Sequence, residues 1–188
     1  MMGESEFFGY GSLVNRRTHS YGGCQPATLT GWRRVWVSST RRNRSFLSIE
    51  PHAGATVQGL VAEVPNADWT ALDDREFAYF RSPVTTRLLG ETALSDRPAQ
   101  LYQARAELID SAPRKKPILL SYLDVVIQGY LEQFGTEGVA AFLETTAGWD
   151  APVQNDRDAP IYGLHQRLTA AETALVDRCL ADLSAQVE

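Results

Sequence analysis

Hydrophobic and polar positions along the first two-fifths of the chain follow the pattern of strands. Phe7-Phe8 runs into Gly9-Tyr10-Gly11-Ser12, an apolar start closed by glycines that suit a sharp turn. Residues 28–38 alternate loosely around Leu29, Val35 and Val37, and Phe46-Leu47-Ser48-Ile49 is a short apolar run. Residues 57–64 read as a further strand, stopped at Pro65. Gly22-Gly23, Gly31 and Gly54 punctuate these pieces at expected turns. Several short strands in succession predict a barrel or a strongly curved sheet, because a flat sheet would leave unpaired edges.

The period changes at Asn66. With Asn66 or Asp68 as N-cap, the spacing predicts a helix over 69–81. At 100° per residue, Tyr79, Leu72, Glu76, Trp69 and Phe80 fall within an arc of about 100°. Asp74, Ala78, Ala71 and Arg81 take the other side, so Glu76 lies inside the apolar stripe. Two more strands are expected near 84–89 and 101–108. A helix follows from Pro117 to about Phe134, with Pro at its first position and Gly135 as its stop. Thr136 caps a short helix that ends before Gly148. Residues 149–163, with Pro152, Pro160 and the cluster Asn155-Asp156-Arg157-Asp158, read as an ordered loop. The last helix opens on Thr169-Ala170-Ala171-Glu172, a capping box, and carries Leu175, Cys179, Leu180 and Leu183 on one side. Strands first and helices last define an α+β protein, here a single domain over 1–188 without internal repeats.

Composition narrows the class. Of 188 residues, 44% are hydrophobic and 22% charged, enough to bury a core and unlike a disordered or fibrous chain. No apolar run approaches the ~20 residues of a membrane span. The acidic start Met-Met-Gly-Glu-Ser-Glu is unlike a basic secretory signal, so a cytoplasmic protein without a membrane partner is expected. Cys24 and Cys179 lie far apart, and His19, His52 and His165 are equally scattered, so neither a structural zinc nor a catalytic metal is expected.

Net charge is −5, unevenly spread. Residues 7–49 hold no Asp or Glu and seven arginines: Arg16, Arg17, Arg33, Arg34, Arg41, Arg42 and Arg44. Such a basic half means either an anion site or two halves that pair with each other. Trp32-Arg33-Arg34-Val35-Trp36, followed by Arg41, Arg42, Arg44 and Phe46, also has the aromatic and basic interleaving of single-strand binders. The acidic sum argues against a nucleic-acid partner.

Three places carry candidate chemistry. A carboxylate on an apolar helix face is desolvated when charged, which raises its pKa and suits Glu76 to take up and return a proton near neutral pH. The alternative is a helix-edge glutamate paired with an arginine, with Arg81 or Arg87 as partner. The stretch Phe8-Gly9-Tyr10-Gly11-Ser12-Leu13 can point successive backbone N–H groups into one concavity that holds a carboxylate or oxyanion, with the Ser12 hydroxyl as a further donor. Tyr122, within Leu119-Leu120-Ser121-Tyr122-Leu123, is either a core tyrosine or a site residue. No Gly-x-Ser-x-Gly elbow or Cys–His signature supports a covalent nucleophile.

These stretches together resemble the gamma-glutamylcyclotransferase-like family. Phe8-Gly9-Tyr10-Gly11-Ser12-Leu13 is similar to its N-terminal substrate loop, in the form of the glutathione-specific (ChaC-type) branch. Leu29-Thr30-Gly31-Trp32-Arg33-Arg34 resembles the Gly-aromatic-Arg-Arg strand. Val57-Gln58-Gly59-Leu60-Val61, leading to Leu72-Asp73-Asp74-Arg75-Glu76, resembles the strand and helix that deliver the catalytic glutamate. Ser121-Tyr122-Leu123 resembles the point at which a later helix supplies a tyrosine.

The resemblance covers about residues 7–135 and leaves 136–188 as C-terminal helices and a covering loop. It implies a small barrel flanked by helices, Glu76 as general acid/base, and Phe8, Gly9, Tyr10, Gly11, Ser12, Leu13 and Tyr122 around a small gamma-glutamyl substrate. The implied reaction closes the substrate into 5-oxoproline and releases an amine, with no metal and no cofactor. A binding protein that keeps the pocket without turnover is the alternative, because Phe77 stands where the family has Gly. Residues 149–163 either cover the site or pack on the barrel, and Arg157 is expected to reach the pocket mouth and pair a substrate carboxylate.

Overall fold

Five strands close into a barrel: β1 (Glu6–Gly9), β2 (Gly22–Ser39), β3 (Ser45–Glu63), β4 (Tyr79–Leu88) and β5 (Asp96–Ala104). The long antiparallel hairpin β2–β3 begins the ring; β3 pairs β1 antiparallel, β1 pairs β5 parallel, and β5 pairs β4 antiparallel. Pairing of β4 with β2, at Ala27–Leu88 and Thr28–Arg87, completes the circle. Closure removes the open edges that so many short apolar runs would otherwise expose. This computed structural model describes residues 5–90, 96–112 and 115–187; the rest of the acidic start, residues 1–4, lies outside them.

Both faces of β1 are covered, which explains its consecutive phenylalanines. Phe8 packs with Leu29, Trp36, Leu60 and Leu101 in the main core. Phe7 turns the other way, onto Leu13, Val64 and Leu72. Leu72 belongs to α1 (Thr70–Arg75), so burial of Phe7 seats this short helix on the barrel wall. The long helix α2 (Leu120–Glu144) adds Leu123, Val126, Ile127 and Tyr130 to the main core, and α3 (Ala170–Val187) contributes Val176 and Cys179. No helix among the described residues is long and apolar enough to cross a membrane.

Short strands β6 (Ile109–Asp110) and β8 (Thr146–Ala147) pair with β2, and β7 (Ile118–Leu119) pairs with β9 (Val153–Gln154). The last pair fastens the 149–163 loop to the start of α2. Gly135 takes φ 68° and ψ −167°, a helix stop that only glycine adopts cheaply, and divides α2 into the two helices expected from sequence.

Several boundaries differ from expectation. The runs 46–49 and 57–63 are one strand, which stops before Val64, and Gly22-Gly23, Gly31 and Gly54 lie within the hairpin strands instead of between them. Between the pairs Thr30–Thr56 and Trp32–Pro51 the register shifts, leaving Gly31 alone opposite His52, Ala53, Gly54 and Ala55. The glycines mark this bulge. The strand expected to reach 108 ends at Ala104, before a 3-10 turn at Ala106–Leu108.

The helix expected over 69–81 is the largest correction. It ends at Arg75; Glu76 leaves helical geometry, and Tyr79 already pairs Ala104 on β5. Pro83 disfavours helix in the residue before it. The ladder from Tyr79 to Arg87 satisfies the backbone while closing the barrel. Tyr79 and Phe80 completed the apolar arc only by coincidence of the two periods.

Candidate active site

Glu76 sits in the turn that joins α1 to β4. Its N–H donates to the Leu72 carbonyl at 2.9 Å, and its carbonyl accepts from the Tyr79 N–H at 2.8 Å. The turn, not an apolar helix face, therefore aims the carboxylate inward. Its side chain is 15% exposed and meets Arg75 Nε at 3.2 Å. Arg75 is in turn held by the Thr18 carbonyl at 2.9 Å and, through Nη2, by the Ser12 hydroxyl at 3.4 Å. Neither expected arginine partner reaches Glu76: Arg81 pairs Asp73 and Arg87 pairs Asp96. Burial raises the Glu76 pKa, and the Arg75 charge moderates the rise.

Glu76 borders two adjoining spaces. The inner one, about 30 Å³, is a recess bounded by Phe8, Gly9, Tyr10, Gly11, Ser12 and Leu13, with Tyr122, Tyr79, Tyr102 and Leu47 completing its wall. All eight residues singled out in the sequence thus meet around one recess. It has room for roughly two water-sized groups. The outer space is a cavity of about 460 Å³ that shares Ser12, Glu76, Tyr79 and Tyr122 with the recess.

Local structure explains how the wall is held. Ser12–Val14 forms a 3-10 turn directly after the glycines, closed by Val14 N–H to the Gly11 carbonyl at 3.0 Å. A methyl at Gly11 would stand 2.7 Å from the Tyr122 hydroxyl, so only glycine permits this approach. Tyr122 is fixed edge-on between Trp36 and Tyr162. Burial raises its pKa, with the Ser12 N–H and hydroxyl opposing, so the phenol stays neutral and can both donate and accept. Tyr10 donates to the Tyr102 carbonyl at 2.7 Å, and Tyr79 donates to the Leu47 carbonyl at 2.8 Å.

Sequence reasoning missed Tyr102 and Tyr162 near this carboxylate and gave Arg75 no role. No motif marks the two tyrosines: β5 brings Tyr102 to the recess, and the 149–163 loop brings Tyr162 to the outer cavity. Phe77 is 52% exposed and walls the outer cavity, leaving the recess clear. The 149–163 loop does reach the site: Ile161, Tyr162 and Gly163 line the outer cavity. Asp156 holds them there, accepting from the Ser121 N–H at 2.8 Å, the Ser121 hydroxyl at 2.6 Å and the Ile161 N–H at 2.9 Å. Arg157 does not reach the mouth. Its guanidinium forks onto Asp124 at 2.8 and 2.7 Å and pairs Asp177 at 2.7 Å, bridging α2 and α3 instead.

A family model described as gamma-glutamyl cyclotransferase, AIG2-like, matches residues 7–121. Among solved structures, an uncharacterized protein from Homo sapiens superposes with a TM-score of 0.61 at 15% identity, over 92% of this chain and 98% of its own. A protein described as gamma-glutamyl cyclotransferase gives 0.59 at 16% identity, over 93% and 98%. YkqA from Bacillus subtilis gives 0.56 at 16% identity, over 77% of this chain and 56% of its own. At these identities the structures share the fold. Among curated protein sequences none matches the chain.

Proposed function

The chain belongs to the gamma-glutamyl cyclotransferase, AIG2-like family, and we propose that it cyclises a gamma-glutamyl amide to 5-oxoproline with release of an amine. The observation that carries this reading is the largely buried Glu76 carboxylate, shared by a small recess that Gly11, Ser12 and Tyr122 line and a larger cavity.

In the proposed reaction the substrate bends back so that its alpha-amine nitrogen attacks its own gamma-carbonyl carbon. The new C–N bond closes a five-membered lactam, and the original amide C–N bond breaks. Glu76 takes the proton from the attacking nitrogen and returns it to the departing one, so no net proton is consumed. A raised pKa suits that exchange, because a carboxylate of ordinary acidity returns the proton poorly. Attack within one molecule makes orientation the main task, a contribution that can reach several kcal/mol. The Gly11–Leu13 backbone, the Ser12 hydroxyl and the neutral Tyr122 phenol would hold the substrate's carboxylate end in the recess. Arg75 keeps Glu76 aimed without entering the recess wall.

The test is to incubate the protein with glutathione and a panel of gamma-glutamyl dipeptides and amines and to measure 5-oxoproline. Glu76→Gln is expected to fold normally and to lose at least ~10²-fold in turnover. Release at the wild-type rate by that variant would overturn the mechanism. Saturable binding with no product from the wild-type protein would favour the pocket without chemistry.

A further inference from the structure

The arginine-rich segment finds its explanation at the outer cavity. Of its seven arginines, Arg16 lies beside Cys24, Arg17 pairs Glu132 and Arg33 pairs Glu50. Arg34 is buried among neutral acceptors. Arg41, Arg42 and Arg44, on the β2–β3 turn, all line the cavity, and among the described residues none has a carboxylate within ion-pair distance. Among the described residues Glu76 is the one acidic side chain lining that cavity, and it is engaged by Arg75. Asp156, whose charge acts on Arg44, spends its oxygens on Ser121 and Ile161. Partial burial and, after it, the Arg42 charge lower the Arg44 pKa, with Asp156 opposing.

Apolar surface lies on the same cavity. Phe77, Ile161 and Leu164 are large, exposed and face it, and Phe46 and Leu108 continue the wall. The Arg42 guanidinium stands 5.8 Å from the centre of the Phe77 ring. None of the three arginines borders the recess, so their charge is separate from the place proposed for the substrate's own carboxylate end. A volume of about 460 Å³ far exceeds the needs of a small amino acid.

We propose that the departing amine of the natural substrate has an extended apolar body ending in an oxyanion, the body lying on Phe77, Ile161 and Leu164 and the anion on Arg41, Arg42 and Arg44. This inference rests on the cyclotransferase reading for its place in the substrate, though not for the existence of the anion site. A cluster of unpaired guanidinium groups favours a carboxylate or phosphate through charge-assisted hydrogen bonds. On this proposal a short leaving group such as glycine leaves the apolar wall and the arginines unused.

The probes are gamma-glutamyl conjugates of 6-aminohexanoate, 6-aminohexyl phosphate, hexylamine and glycine. Binding is measured calorimetrically on Glu76→Gln, and 5-oxoproline release on the wild type. Both anionic long-chain conjugates are expected to bind at least ~10-fold more tightly than the hexylamine conjugate, a preference that weakens as salt rises. The ratio between carboxylate and phosphate then distinguishes the two sources of the anion. In R41Q/R42Q/R44Q the preference should fall to within about twofold. Should that variant not fold, Arg42→Gln alone and the salt dependence of the wild-type preference serve instead.

Equal binding of the anionic and neutral chains, or a preference that survives loss of the arginines, would overturn the inference. So would a glycine conjugate bound as well as the long anions. Product from the hexylamine conjugate without any anion preference leaves the cyclotransferase reading standing and removes this one. Anion-dependent binding with no product from any conjugate does the reverse.

Discussion

A carboxylate held out of water beside one arginine makes stability depend on pH. The folded protein raises the pKa of Glu76, so its neutral form is favoured in the fold relative to the unfolded chain. The stability it contributes is fully present below the ordinary value of 4.5 and is lost as pH rises through the folded value. Glu76→Gln removes that dependence. Its melting temperature should exceed the wild-type value at pH 7, with the gap closing toward pH 4. A gap that stays constant or widens on acidification would show that pairing with Arg75 outweighs burial. At the same scale Tyr122 and Gly11 act as one unit, because the hydroxyl rests where a side chain on Gly11 would be. Neither residue alone announces a site in the sequence; Gly9-Tyr10-Gly11 reads equally well as a simple strand end.

Among the elements, β2 carries an arginine that the barrel cannot release. Arg34 is 1% exposed, donates to the Tyr10 carbonyl at 3.1 Å, the Gln58 carbonyl at 2.7 Å and the Tyr130 hydroxyl at 2.7 Å, and lies over the Tyr130 and Phe142 rings. It ties β2 to the Tyr10 end of the recess loop, to β3 and to α2. Arg34→Met keeps much of the volume but leaves buried acceptors short of a donor, and should cost about 2–4 kcal/mol in urea unfolding. A loss below about 1 kcal/mol would mean that Tyr130 and water replace the guanidinium. Charge near this segment was legible in the sequence, yet its division into structural and free arginines was not. The strands were legible where even a loose alternation ran over many residues, as at 28–38. They were misplaced where barrel closure decided the outcome. A helix over 69–81 and a strand from 79 satisfy the same apolar residues, and only the distant partner Ala104 selects the strand. Glu76 was singled out on a wrong local geometry, yet the desolvation expected of a helix face also holds in the turn.

Over the whole molecule, the family match ends at 121, while the roof of the outer cavity comes from beyond it. The roof is fastened twice, by Asp156 to Ser121 and by Arg157 to Asp124 and Asp177. The two fastenings differ in what they hold. Asp156 bonds directly to Ile161, and the Ser121 hydroxyl it holds accepts from the Tyr162 N–H, so it positions the roof at the cavity. Arg157 joins the loop's base to α2 and α3, on a side that does not border the cavity. Its removal strands Asp124, which is 7% exposed at the side chain, without its cation. Arg157→Ala should therefore destabilise the fold by about 2–3 kcal/mol, less than for a fully buried pair because the guanidinium is partly exposed. Its Michaelis constant for a gamma-glutamyl substrate should stay within about twofold, whereas Asp156→Ala should raise that constant by releasing the roof. Denaturant titration and steady-state kinetics on the same two variants separate the roles. A raised Michaelis constant with unchanged stability in Arg157→Ala would return that arginine to the cavity mouth, where the sequence had placed it.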